Sequence, residues 1–246
     1  MATSGGPNIV TEGIILSLDS ATPRSFISQS STWYDLSGNG NNGTISLGDY
    51  DSASHGGVGM EGGNEHIHIP PSSDFNHFKS GDFTIETFVR SDDKDYPRSR
   101  HPMKLGHTVT AADKKGWSVG HQQCNNNIEV RVSDGTNLGN TDVSHFDLVE
   151  STYYHRVFTV SRASGCLTKC YINSDLVGSH DATSVTGEIY DPDQTSDSIG
   201  AGLVFGYCWG WRFIGSVNII RAYNRVLTAK EITQNHNALK SRFGLT

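Results

Sequence analysis

The sequence predicts an all-β chain: two antiparallel sheets stacked as a sandwich, closed by one short C-terminal helix. Three observations carry this. Apolar side chains alternate with period two through most of the chain, which is the spacing of a strand with one buried face. Glycine is abundant, 27 of 246 residues, and apolar residues make up only 35%. That composition suits many short strands joined by tight turns and disfavours a helical bundle, where each interior glycine costs about 1 kcal/mol relative to alanine. Finally, helical periodicity occurs in a single place, after residue 228.

The first clear strand is Gly13–Asp19, followed by Glu65–Ile69, where His66 and His68 alternate with Ile67 and Ile69. In FTIETFVR, Phe83, Ile85, Thr87 and Val89 face one way, and Thr84, Glu86, Phe88 and Arg90 the other. Gly116–His121 and Asn127–Ser133 follow. In YYHRVFTVS, Tyr154, Arg156, Phe158 and Val160 share one face, opposite His155, Val157 and Thr159. Cys166–Asn173, Ser198–Phe205 and Trp211–Tyr223 complete the set, separated by Gly, Asn, Asp and Ser clusters. In DLSGNGNNGT, Gly38, Gly40 and Gly43 with Asn39, Asn41 and Asn42 supply positive-φ positions for a tight turn, and Trp33, Tyr34 and Leu36 anchor it. The turn lacks the Lys-Ser/Thr ending of a phosphate loop. The mixed charges of Arg90–Lys104 read as a solvated loop.

Thr228-Ala229-Lys230-Glu231 has the form of a capping box. Ile232, His236, Leu239 and Phe243 then recur at helical spacing, and Gly244 suits a left-handed stop. This predicts one helix over 229–242, lying on the sandwich, with residues 1–12 as an N-terminal arm. No repeat or linker divides the chain, so 1–246 is read as one domain. A domain of this length buries roughly 70–75% of its unfolded surface and needs no disulfide or metal to fold.

Net charge is −7, the wrong balance for displacing phosphate counterions, so nucleic acid is not an expected partner. No run reaches the ~18 apolar residues of a membrane span. The N-terminal MATSGGPNIVTEG has no basic segment ahead of an apolar core. The expectation is therefore a protein made in the cytoplasm, or a mature or engineered form. Cys166 and Cys170 sit about 13 Å apart along a strand at ~3.3 Å per residue, too far for a bridge between them. The four cysteines read as reduced thiols; the alternative is a bridge from Cys166 or Cys170 to Cys124 or Cys208. No CxxC pair suggests zinc.

Several ordered stretches resemble one superfamily. GIILSLDSATPRSFISQSSTWYDLSGNGNNGTI (13–45) is similar to the opening of concanavalin A-like, laminin-G-type domains in bacteriophage structural proteins. EHIHIPPSSDF (65–75) and GDFTIETFVRS (81–91) resemble the strands that follow, and YYHRVFTVSRASGCLTKCYINSDLVGS (153–179) resembles the family's hairpin. FIGSVNIIRAYNRVLTAKEITQNHNALKSRFGL (213–245) resembles its terminal strand and helix. The resemblance implies a concanavalin A-like jelly-roll sandwich with a lectin-like fold. It also implies a non-catalytic virion structural protein of a tailed phage: a capsid decoration, fibre or appendage subunit, assembled in the host cytoplasm. Expected partners are other virion proteins, further copies of itself, and cell-surface polysaccharide. The alternative is a secreted or surface carbohydrate-binding module; a glycoside hydrolase is the weakest reading.

Enzymes of this superfamily that cleave polysaccharides carry ExDxE or ExDxxE on one strand, and neither string occurs here. Glu86 has Thr84 and Phe88 as same-face neighbours and resembles the family's structural glutamate. Relatives often bind calcium. An acid of the terminal strand is replaced here by Asn218, so the expected calcium ligands move to YDPDQTSDS, where Asp191, Asp193 and Asp197 offer hard oxygens. His66 and His68 share a strand face where a transition metal is a weaker option. In GYCWGWRF, Tyr207, Trp209 and Trp211 are the expected surface for a ligand or partner if the run is extended, with Phe213 in the core.

Overall fold

The computed structural model describes residues 8–51, 55–92, 103–106, 114–121, 127–145, 149–163, 165–193, 201–208 and 211–245. Its strands are, in order, β1 (Ile14–Asp19), β2 (Thr32–Trp33), β3 (Gly43–Ser46), β4 (Asp49–Asp51), β5 (Gly57–Glu61) and β6 (His66–Ile69). Then come β7 (Phe83–Ser91), β8 (Met103–Gly106), β9 (Lys115–His121), β10 (Asn127–Asp134), β11 (Leu138–His145) and β12 (Thr152–Ser161). The last are β13 (Leu167–Ile172), β14 (Asp175–Asp181), β15 (Leu203–Phe205), β16 (Tyr207–Cys208), β17 (Trp211–Arg212) and β18 (Ile214–Tyr223). One α-helix, α1 (Ala229–Leu239), runs into a 3-10 turn at Lys240–Phe243.

The strands form two antiparallel sheets packed face to face, as predicted. The first has the order β14-β13-β12-β7-β18-β5-β4, with β1 also on β18; the second has the order β11-β10-β9-β8-β15-β6-β3-β2. Strand β18 holds the first sheet together. Its Ile214–Val217 stretch pairs with β5 and its Ile219–Tyr223 stretch pairs with β1, both along the edge opposite β7. A register shift at Asn218 separates the two stretches. The bulge reverses the parity of the strand, so Val217 and Ile220 both enter the main core while Ile219 faces outward. The predicted single strand 211–223 is therefore three pieces: β17, the break at Phe213, and a bulged β18.

The inward faces follow the predicted alternation. Phe83, Ile85, Phe158 and Val160 of the first sheet meet Ile67, Leu105, Trp117 and Val130 of the second in one continuous core. Full burial of each such side chain contributes roughly 1.5–3 kcal/mol. The outward face of the first sheet is also buried, because α1 lies on it. Phe88, Tyr153 and Ile219 pack with Phe243, while Val157, Tyr171 and Tyr223 pack with Ile232 and Leu227. The Phe88 and Phe243 rings stack at 4.8 Å.

The helix start is the predicted capping box. Thr228 Oγ1 accepts the Glu231 N–H, and the Glu231 carboxylate accepts the Thr228 N–H at 2.8 Å. The helix is shorter than 229–242: the α turns end at Leu239, a 3-10 turn follows, and Gly244 closes it at φ 66°. The N-terminal arm clamps the helix. The Val10 N–H donates to Asn235 Oδ1 at 2.7 Å, and Gln234 donates to the Asn8 carbonyl at 2.6 Å.

Three local expectations need correction. Lys104 is not in a solvated loop: it lies within β8 and is 1% exposed, while Arg90 belongs to β7. In the Asn/Gly turn, only Gly38 and Gly40 adopt positive φ; Gly43 is in β3, where a side chain would press on Leu18. Asn41 serves there as a donor to the Ile15 carbonyl and Asp74. Trp33 is the buried anchor of that turn, whereas Tyr34 and Leu36 are exposed.

Candidate binding site

The aromatic run is not one extended strand. It folds back as a hairpin in which Tyr207 pairs with Arg212 and Cys208 with Trp211. Tyr207 and Trp211 are described by their backbone, and Trp209 lies outside the described residues. Phe213 is buried, as expected. Of the proposed calcium ligands, Asp191 accepts the Asp193 N–H at 3.0 Å in an exposed local turn, and Asp197 is outside the described residues. His66 and His68 share one half-buried face, but each ring bonds a different backbone carbonyl, of Asn64 and Ala201. No group of three metal-ligating side chains occurs among the described residues. Cys166 and Cys170 are free, buried thiols; Cys124 lies outside the described residues, and Cys208 is described by its backbone.

Glu86 sits at the centre of a closed polar network beneath α1. Its carboxylate accepts from His155 Nε2 at 2.8 Å, Asn235 Nδ2 at 2.9 Å and the Tyr223 hydroxyl at 3.1 Å, with Arg221 Nη1 at 3.5 Å. Burial by itself raises the carboxyl pKa. The Arg221 charge, the His155 hydrogen bond and charge, and the Tyr223 hydroxyl outweigh it and hold Glu86 at about 2. Burial keeps the Tyr223 phenol protonated, hence a donor. The side chain is fully buried.

An open site exists at the end of the sandwich where the aromatic hairpin emerges. A groove of about 400 Å³ is lined by Leu47, Gly59, Met60, Glu61, Glu65, Asp92, Ile214 and Gly215. The pairing of β5 with β18 builds its floor, placing Glu61 opposite Ile214 and Met60 opposite Gly215. Glu65 enters from the turn before β6, and Asp92 from the end of β7. Arg90 holds Asp92 in place through two hydrogen bonds of 2.7 Å. Leu47, 77% exposed, supplies an apolar lip.

The hairpin is tied to this groove by its neck. The Phe213 N–H donates to the Gly206 carbonyl at 3.0 Å, and the next residue, Ile214, lines the groove. Gly206 has φ 92° and Gly215 φ 145°. A Cβ on Gly206 would strike the Met60 sulfur, and one on Gly215 the Arg90 carbonyl oxygen. Both positions therefore require glycine for conformation and for space.

Carboxylates beside apolar and aromatic groups can accept hydrogen bonds from hydroxyls while an apolar face packs against the wall. Sequence reasoning singled out the aromatic run but read it as extended, and it missed Glu61, Glu65 and Asp92. The available signal was weak: acids flanking the glycine-rich turn of GMEGGNEH, and one acid inside a mixed-charge stretch.

Comparison with known proteins agrees with the architecture. Among solved structures, the chain superposes on the binding domain of Paraclostridial Mosquitocidal Protein 1 with TM-score 0.67 and 16% identity, over 96% of this chain and 56% of that one. The binding domain of Botulinum Neurotoxin DC, solved in complex with SialylT, gives TM-score 0.65 and 13% identity over 93% and 52%. Trypanosoma rangeli sialidase, in complex with the inhibitor DANA, gives 0.62 and 12% over 96% and 34%. The chain thus spans about half or less of the length of these structures, and identities this low speak to the fold alone. No curated protein matches the sequence. The family model described as the concanavalin A-like lectin/glucanases superfamily matches residues 61–233. With more than two-thirds of its 246 residues under that model and a two-sheet antiparallel sandwich to match, the chain belongs to the concanavalin A-like lectin/glucanases superfamily.

Proposed function

We propose that this chain is a non-catalytic binding subunit that holds a glycan in the groove between Glu61, Glu65 and the aromatic hairpin, and that it serves as a structural component of a tailed-phage virion. The observation that carries the binding reading is the groove itself: an open cleft of about 400 Å³ with three carboxylates and an exposed leucine, at the neck of the Tyr207–Trp211 hairpin. The binding domains and the sialidase that share the fold are consistent with it. The virion placement rests on the resemblance of residues 13–45 and 213–245 to phage structural proteins.

The non-catalytic reading has a physical support. A general acid for glycoside cleavage needs a raised carboxyl pKa. Glu86, Asp134 and Glu231 are instead all held at about 2, by ion pairs or by backbone donors. Glu86, the acid on the family's central strand, is sealed from any substrate.

The test is a glycan array run with and without calcium, on the parent chain and a Glu61→Gln/Glu65→Gln variant. Signal that the variant loses supports the reading; a blank array, or equal signal from both, rejects the groove. Release of reducing ends from any bound polysaccharide overturns the non-catalytic assignment. For the virion placement, a monomer in ultracentrifugation with no retention on phage particles is the rejecting result.

A further inference from the structure

The inter-sheet core contains an arginine that the binding site does not use. On β12, Arg156 shares the inward face with Tyr154, Phe158 and Val160, and is 4% exposed. Its cross-strand neighbours are Thr87 and Ile172. Among the other arginines with described side chains, Arg90 pairs with Asp92, Arg131 with Glu129, Arg225 with Glu231, Arg242 with Asp19 and Arg221 with Glu86, while Arg162 donates to the Val185 and Gly187 carbonyls. Arg156 has no carboxylate partner among the described residues, and its Nε and Nη2 find no hydrogen-bond acceptor there. Its guanidinium carbon lies 5.8 Å from the centre of the Tyr154 ring.

Beside the guanidinium lies a cavity of about 20 Å³, walled by Arg156, Thr87 and Phe158 from one sheet and by Met103, Val119 and Phe205 from the other. A water needs roughly 10–15 Å³ of such space, so the cavity accepts an object of one or two atoms and excludes sugars and phosphates. None of the described residues that line it is acidic. Burial lowers the Arg156 pKa only to about 10, so the charge persists at neutral pH. The nearby Cys170 cannot neutralise it as a thiolate, because burial pushes that thiol up to about 12 even with Arg156 beside it. A persistent buried charge without a counter-charge costs several kcal/mol. Water contributes a dipole but no charge.

We propose that Arg156, with the Thr87 hydroxyl as a second donor, binds a monatomic anion of chloride size in this inter-sheet cavity. The anion completes the core electrostatically and is independent of the glycan groove. An occupant that binds only the folded chain stabilises it in proportion to the logarithm of its concentration above Kd.

The experiment has two arms. Crystals grown with sodium bromide should show anomalous density within hydrogen-bond distance of the Arg156 guanidinium. Thermal unfolding at constant ionic strength, replacing sodium gluconate by sodium chloride, should raise Tm by roughly 4 °C or more, about what 1–2 kcal/mol gives at this size. Arg156→Met, which substitutes an apolar chain of similar length, should lose that dependence. If Arg156→Met does not fold, the bromide density in the parent chain decides. Absent density, or a chloride dependence that survives in Arg156→Met, overturns the proposal.

Discussion

Two sets of carboxylates, on the covered face and at the open end of the same sandwich, have opposite fates. Beneath α1, Glu86 is fully buried and surrounded by His155, Arg221, Tyr223 and Asn235. At the hairpin end, Glu61 is exposed and Glu65 and Asp92 are half-exposed along a groove. The residue type is nearly the same, so the difference lies in what covers it. A helix and an N-terminal arm convert a strand face into a second core, where an acid survives only if every lone pair is satisfied. Among the described residues no helix covers the open end, and on the proposed reading its acids accept hydrogen bonds from hydroxyl-bearing ligands. An acid in this fold is thus read by its lid before its strand.

The comparison breaks most readily at Glu86. Glu86→Gln leaves Arg221 buried without its counter-charge and should destabilise the chain by roughly 3–5 kcal/mol, measured by denaturant unfolding, with glycan retention intact on the folded fraction. The same site sets an acid limb. The folded pKa of about 2 lies below the ordinary 4.5, so Glu86 stabilises the fold fully above pH 4.5. That contribution falls away as the pH drops toward 2, because the unfolded chain takes up the proton first. In Glu86→Gln, the slope of stability against pH between 4.5 and 2 should flatten; an unchanged slope would remove Glu86 as its source.

A smaller effect tests the lid itself. Thr228→Ala removes one half of the capping box and should cost about 1 kcal/mol; a shift near zero would mean that Arg225 and Glu231 anchor the helix start without Thr228. The smallest stability effect is expected at the groove. Glu61→Gln and Glu65→Gln should each move stability by less than about 0.5 kcal/mol, while glycan retention by the double variant falls at least tenfold. A stability loss comparable to that of Glu86→Gln would erase the distinction between the two regions.

Much of the fold was legible because strands with one inward face write a period of two into the chain. Phe83, Ile85 and Val89, and likewise Phe158 and Val160, were placed on the correct face from spacing alone. The capping box at Thr228 and Glu231 was equally readable, because it closes over four consecutive residues. The misses share a cause: each depends on residues far apart in sequence. Lys104 is buried in β8 although charged residues precede it. The bulge at Asn218 appears only where β18 changes partner from β5 to β1. The groove joins residues 47, 59–61, 65, 92 and 214–215, which no local pattern connects.

By itself the sequence determined the layer architecture and the terminal helix, since alternation and capping are local properties of the chain. Only the tertiary structure decided which acids are covered and which are open, where the aromatic run turns back, and that Arg156 faces a cavity between the sheets. These depend on the neighbour a side chain meets across a sheet or beneath a helix, and burial and electrostatics are set by that neighbour rather than by the residues beside it in the chain.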